Sequence, residues 1–269
     1  MMKKVINIFL SLVLMASFVV PNTVFAAHPS EEENNFDYDY AYNWALEVGF
    51  SEGFLKGISE EALKRVYFDN IGADELDIEE SVSIVSLDDP IDGAVSTRGN
   101  IHESIMEFRS SAVKHTSGGK VARVQIYFTA QWLNGRPLNR YTDGIIVNWD
   151  SSLWYCNTNS FWGKVEDNSA DNLVYSSNRP AESRQGGLGW YAPLTSIPLG
   201  YTPTIRIGFE LRPRNTNMPS GSSKISTVDA IYGHRYVVPG GISISASGVS
   251  VTMSGFQDRA AKNCLIGHG

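Results

Sequence analysis

Cysteine is almost missing from this chain: Cys156 and Cys264 are the only two in 269 residues. Neither belongs to a CxxC pair, which excludes thiolate zinc sites and thioredoxin-like redox chemistry. The HExxH, G-x-S-x-G and P-loop patterns are absent as well, so the strong local signatures of zinc peptidases, serine hydrolases and nucleotide-binding proteins are lacking. Basic residues are few and scattered, 22 against 29 acidic ones. With no cluster to neutralise phosphates, a nucleic-acid partner is not expected. The five histidines, His28, His102, His115, His234 and His268, show no metal-ligand spacing, and surface or loop positions are expected for them. Asp88, Asp89 and Asp92 do not meet the calcium-loop pattern and read as a turn. No metal and no cofactor is therefore expected.

Long apolar runs are lacking everywhere except at the start. Lys3 and Lys4 precede an apolar stretch at 5–20, and residues 21–27 close with small side chains. This is the three-part order of a secretory signal peptide, with cleavage expected before Ala27 or, second, before His28. The run falls short of the roughly 20 residues of a spanning helix. Ser30, Glu31, Glu32 and Glu33 follow it at once, so no stable membrane anchor is expected after cleavage.

What remains is unevenly charged. Residues 28–80 hold 15 acids and three bases, whereas the rest is close to neutral. Residues 27–39 read as an acidic flexible leader. From Ala41 the apolar positions Ala41, Trp44, Ala45 and Val48 recur at helical spacing until Gly49 stops them. Phe54 and Leu55 form a short turn or half-helix. Ser59 caps a second helix through Tyr67, with Glu60 and Glu61 in its first turn and Gly72 as its exit. The helical unit, 40–72, is too small to hold a large core alone. An acidic linker is expected at 73–94, with one short strand near 82–87.

Beyond residue 95 the period becomes two. Ala122, Val124, Ile126, Phe128, Ala130 and Trp132 alternate with polar neighbours, and the preceding stretch (Met106, Phe108, Ala112) joins them through Ser117-Gly118-Gly119 as a hairpin. Ile205, Ile207, Phe209 and Leu211 alternate as cleanly, and weaker strands are read at 144–149, 173–176 and 228–238. A hairpin at 241–254 turning at Ser247-Gly248 pairs Ile242 with Met253, Ile244 with Val251 and Ala246 with Val249 on one face. The expected class is mainly β, an antiparallel sandwich or barrel-like domain at 95–269 behind the helical unit.

Candidate sites are dispersed. Trp149, Asp150, Trp154, Trp162 and Trp190 are the residue types that stack on sugar rings and bond to hydroxyls. With the loop expected at 154–162, they form a candidate glycan site. Export would let Cys156 and Cys264 pair as a disulfide. That bond would abolish any Cys156 nucleophile with His234 as base. Asp143, Asp150 and Glu210 are acids of the kind glycoside hydrolysis needs at fixed separation. The hydroxyl-faced hairpin resembles the insertion hairpin of pore-forming toxins, but its arms are short of the 9–11 or so residues of a membrane strand.

Two stretches resemble segments of predicted secreted proteins from Gram-positive spore-forming bacteria. They are Trp44-Ala-Leu-Glu-Val-Gly-Phe50 with Ile58-Ser-Glu-Glu-Ala-Leu63 up to Tyr67, and Gln131-Trp-Leu-Asn-Gly-Arg-Pro-Leu-Asn-Arg-Tyr-Thr-Asp143 through Trp149. The resemblance implies export and this order of parts, and it carries no activity or site residues. The expected function is a secreted, non-catalytic extracellular binding protein for a glycan or cell-surface component. A secreted hydrolase with its site dispersed over loops and a pore-forming protein using the 241–254 hairpin are the alternatives.

Overall fold

The structure, a computed structural model, describes residues 36–73, 75–86, 105–133, 142–167, 173–195, 197, 201–218, 226–234, 242–244, 251–253 and 258–266. The signal peptide, most of the leader, and the turn at Asp88, Asp89 and Asp92 lie outside them. Residues 37–269 form one compact unit in which helices and sheets are joined.

Three helices come first. Helix α1, Tyr38–Glu47, starts two residues before the expected limit because the Asp37 side chain accepts from Tyr40 N at 3.0 Å and caps it. It ends at Gly49, whose φ of 112° places it in the left-handed region that glycine tolerates. Helix α2, Glu52–Leu55, is the expected half-helix. Helix α3, Glu60–Asn70, is capped by Ser59, which accepts from Ala62 N at 3.2 Å.

The strands follow as β1 (Glu75–Ser86), β2 (Ile105–Ser117), β3 (Lys120–Trp132), β4 (Thr142–Trp149), β5 (Trp154–Asp167), β6 (Leu173–Ser177) and β7 (Glu182–Arg184). The remainder are β8 (Gly187–Pro193), β9 (Pro203–Pro213), β10 (Ser226–His234), β11 (Ile242–Ile244), β12 (Val251–Met253) and β13 (Asp258–Ile266). They build a six-stranded sheet, β1-β2-β3-β9-β5-β6, and a five-stranded sheet, β13-β10-β4-β8-β7, with β11-β12 as a separate pair. Every pairing is antiparallel. The class is mainly β, a two-sheet sandwich.

The period-two segments behave as their pattern dictates. Val124, Ile126, Phe128 and Trp132 from β3, Ile205 to Leu211 on alternate positions of β9, and Ile145, Val147, Leu188, Val228 and Ala230 from the second sheet fill the space between the sheets. Burying each of the valine, isoleucine, leucine and phenylalanine side chains is worth about 1.5–3 kcal/mol relative to exposure. The β2–β3 hairpin turns at Gly118 and Gly119 with φ of 58° and 72°, the left-handed pair of a primed turn, which glycine takes without strain. The pairs Ile242↔Met253 and Ile244↔Val251 have the register expected from the sequence, while the turn itself lies outside the described residues. Strand β11 lies against β7 and β8.

Two expectations are corrected. The acidic stretch after residue 73 is an edge strand, not a linker: all 12 residues of β1 pair with β2. Charge on an edge strand discourages pairing with another chain, so acidic composition and strand geometry are compatible there. Residues 154–162 belong to β5, not to a loop. The polar run Asn157 to Ser160 hides the strand because it is a bulge, with the pairing to β9 shifting between Asn157 and Trp162. Ser160 Oγ accepts from Glu210 N at 2.7 Å and takes over the ladder bond that the bulge displaces.

The helices lie on the outer face of the six-stranded sheet. Phe50 and Phe54 pack against Tyr127 of β3 at ring-centroid distances of 6.3 and 5.9 Å. Leu55, Ile58, Ala62, Leu63 and Val66 are buried with them. A helical unit too short to close a core of its own thus uses the sheet as its floor.

Candidate functional site

The tryptophans of the candidate glycan site are interior. Trp149, Trp154, Trp162 and Trp190 are 6, 0, 2 and 2% exposed. Trp154 Nε1 donates to Ser226 Oγ at 2.9 Å, joining the two sheets. Trp190 lies over Gly163, where an added Cβ would stand 2.6 Å from its ring, and Trp162 lies in the same way on Gly208. A ring that fills the space a side chain would otherwise occupy has no face left for a sugar. Asp150 is exposed and shapes a turn: its Oδ1 accepts from Ser152 N at 2.8 Å and Ser152 Oγ at 2.6 Å. These bonds, the hydroxyl first, hold its carboxyl below the usual range.

Cys156 carries a free thiol. It is half-buried against the sandwich core, and burial with Glu210 nearby pushes it up to about 12, so it is protonated at neutral pH and a poor nucleophile. Cys264 stands on β13 of the other sheet, and its side chain lies outside the described residues. No bond between the two is seen. His234 cannot serve Cys156 as base. Trp154, two residues from Cys156, bonds Ser226 at the start of β10, and His234 is eight residues further along, about 26 Å away at strand rise.

The histidines expected at the surface, where described, are buried. His234 and Asp143 are both 0% exposed, with Nδ1 and Oδ1 2.7 Å apart. Tyr232 OH donates to the other oxygen of Asp143, and Trp132 Nε1 donates to Tyr232 OH at 3.0 Å. This chain crosses from the first sheet to the second and satisfies polar groups that would be costly alone.

A second polar cluster lies under the helices. Glu166 accepts from Ser59 N and Ser59 Oγ, and from Arg206 Nε at 2.7 Å. Arg206 also donates to the Phe54 and Lys56 carbonyls, at 3.3 and 3.2 Å, and to Thr129 Oγ1 at 3.2 Å. Nearby, Asp69 Oδ2 accepts from Trp162 Nε1 at 3.1 Å and from Tyr127 OH at 3.5 Å. Arg123 bridges the Asp69 carbonyl (2.9 Å) and the Glu210 carboxylate (3.2 Å). Asn157 and Arg212 hold the other Glu210 oxygen at 3.2 and 2.6 Å. Burial pushes Asp69 up to about 6, with Glu210 adding to it and Trp162, Arg65 and Arg123 opposing. Of the three acids the sequence singled out, Glu210 is here, Asp143 is in the other sheet and Asp150 is in an exposed turn. Asp69 was not singled out, because its neighbours come from strands 54 or more residues away.

The helices present a different surface to solvent. Tyr40, 60% exposed, meets Tyr67 edge-on at 6.1 Å, Tyr67 meets Trp44 at 5.0 Å, and Phe68 adjoins Tyr67 at 5.4 Å. Asp39, Asn43 and Glu47 are exposed along the same helix as Tyr40. Helical spacing alone gathers Asp39, Tyr40, Asn43 and Glu47 into one stripe, a signal the sequence held.

Among the described residues no helix is long and apolar enough to cross a membrane, and no group of three or more His, Cys, Asp or Glu is arranged to hold a metal ion. No protein-family description matches the chain, and no curated protein matches it. Among solved structures it is similar to the collagen-binding domain from a Staphylococcus aureus adhesin, with 7% identity, 53% of this chain and 87% of that domain covered, and a TM-score of 0.30. It is also similar to ACE19, the collagen-binding subdomain of the Enterococcus faecalis surface protein ACE, with 8% identity, 55% and 88% coverage, and a TM-score of 0.30.

Proposed function

We propose that this chain is an exported, non-catalytic binding protein that recognises a glycan through the acidic, aromatic side of its helical layer. Export rests on the signal-peptide pattern of residues 1–27. The ligand class rests on one observation above all, the row of rings Tyr40, Tyr67 and Trp44 beside the exposed Asp39, Asn43 and Glu47. Aromatic rings stack on the C–H faces of sugars, and carboxylates and amides accept and donate to hydroxyls. Both occur here on a helix, which is a firmer platform than a loop. An acidic surface further favours amino sugars over sulfated or carboxylated ones.

Titration calorimetry of the mature protein against cell-wall, mucin and amino-sugar polysaccharides tests the reading. Tyr40→Ala should weaken binding about tenfold, the worth of one aromatic contact. Its exposure means the fold should not change. Binding to none of these polymers, or binding indifferent to Tyr40→Ala, would sink the proposal; binding to a basic protein instead would replace the glycan. Mass spectrometry of culture medium tests export: mature chains should begin at Ala27 or His28. Chains beginning beyond residue 73 would instead make the helices a removable pro-segment.

The hydrolase reading has one observation in its favour, the approach of Asp69 to Glu210 with Asp69 pushed up to about 6. Glu210 is 3% exposed and held by three side chains, so a substrate would have to displace them to reach it.

A further inference from the structure

Hydrogen bonds connect a buried imidazole on β2 to a carboxylate in the last turn of α3, the longest link being Tyr127 OH to Asp69 Oδ2 at 3.5 Å. The Asn70 side chain is the middle of this chain and its orientation is fixed: Nδ2 donates to the Val66 carbonyl at 2.7 Å, so Oδ1 must face His115. His115 Nε2 is 2.8 Å from that oxygen and therefore carries its hydrogen. The second hydrogen on Asn70 Nδ2 goes to Tyr127 OH at 2.8 Å, which leaves the phenol to donate to Asp69 Oδ2. Every donor points the same way, from β2 through α3 and β3 back to α3.

We propose that the chain His115–Asn70–Tyr127–Asp69 is a proton-controlled latch that seats the carboxyl end of α3 on the six-stranded sheet, with its two titratable ends responding to pH in opposite senses. It concerns how the helices are held and stands whether or not they bind a glycan. Charged neighbours come from each packed element: Arg65 on α3, Arg123 on β3 and Glu210 on β9, with uncharged Trp162 from β5. On β1, uncharged Leu76 stands opposite His115, while its acidic neighbours Glu75 and Asp77 are engaged by Thr116 and Lys114.

The senses follow from burial. Asp69 rises from 3.8 to about 6 when seated, so what it contributes is complete below 3.8 and is lost as pH climbs through about 6. His115 falls from 6.5 to about 3 through burial and then Arg123, so its contribution is complete above 6.5 and is lost as pH drops through that value toward 3. From pH 7 to pH 5 the aspartic acid alone would tighten seating roughly tenfold and the histidine alone would loosen it roughly 25-fold. Together they leave it changed by only a few-fold.

Hydrogen exchange of the α3 amides, corrected for intrinsic rates and followed from pH 5 to pH 7 in the full mature protein, reads this directly. Wild type should open nearly equally at both ends of the range. Asp69→Asn should open roughly 25-fold more at pH 5 than at pH 7, and His115→Gln roughly tenfold less. Profiles of Asp69→Asn and His115→Gln that match wild type, or that slope in the same direction, overturn the latch. If His115→Gln does not fold, Asp69→Asn against wild type decides alone, since the acid slope must appear or the proposal fails.

Discussion

Tyr127 joins several parts of the helix–sheet junction: its ring packs on Phe50 and Phe54 and tilts against Trp162, while its hydroxyl bonds Asn70 and Asp69. Its surroundings push the phenol well above its ordinary range, burial first, so it stays a donor and acceptor at any ordinary pH. Single atoms matter as much at Gly208, on which the Trp162 ring lies. Gly208→Ala should cost about 1–3 kcal/mol, read as a lower urea midpoint with unchanged slope, because the ring has no space into which to move. Breaking the Arg206–Glu166 pair should cost more. Arg206→Ala removes the guanidinium from a buried carboxylate that Ser59 also holds, and a loss of about 3–5 kcal/mol in the same experiment is expected. The Cys156 thiol, pushed up to about 12, should react slowly with a disulfide reagent at pH 8 and quickly in denaturant; mass mapping of labelled peptides separates it from Cys264.

At the scale of elements, α3 is held at both ends by different means. Its amino end depends on Ser59, which caps the helix and bonds Glu166 of β5 at once. Ser59→Ala should therefore cost about 1–2 kcal/mol and raise hydrogen exchange in α3 before any strand. Strand β5 shows what sequence pattern conceals. Trp154 and Val165 lie an odd number of residues apart and both face the core, because the bulge at 157–162 shifts the alternation midway and puts polar residues where a strand is not expected. Helix α1, by contrast, was legible but for its first two residues, because its apolar spacing and its glycine stop are local properties.

At the scale of the molecule, three layers are stacked, with helices on one sheet and that sheet on another. The middle layer is buried on both faces, which is why Gln125, Thr129 and Arg206, polar in sequence and expected outside, are 2, 3 and 3% exposed. Removing residues 28–73 would uncover Tyr127, Val113 and Trp162 together with the buried ion pair. Such a chain should aggregate, eluting earlier in size-exclusion chromatography than the full mature chain.

The sequence by itself determined the class of fold, the hairpin at 118–119, the register of 242–244 on 251–253, and the helix capped by Ser59, because each depends on residues a few positions apart. Fold packing decided everything that joins distant segments: that the acids after residue 73 form an edge strand, that four tryptophans fill the interior, and that two histidines are buried. Alternation along a strand says which residues share a face. It does not say which face another layer will cover. That is settled only when hydrophobic area on the helices, too small to close on itself, finds the outer face of the sheet, and with it the partners of Asp69, Asn70 and Arg206.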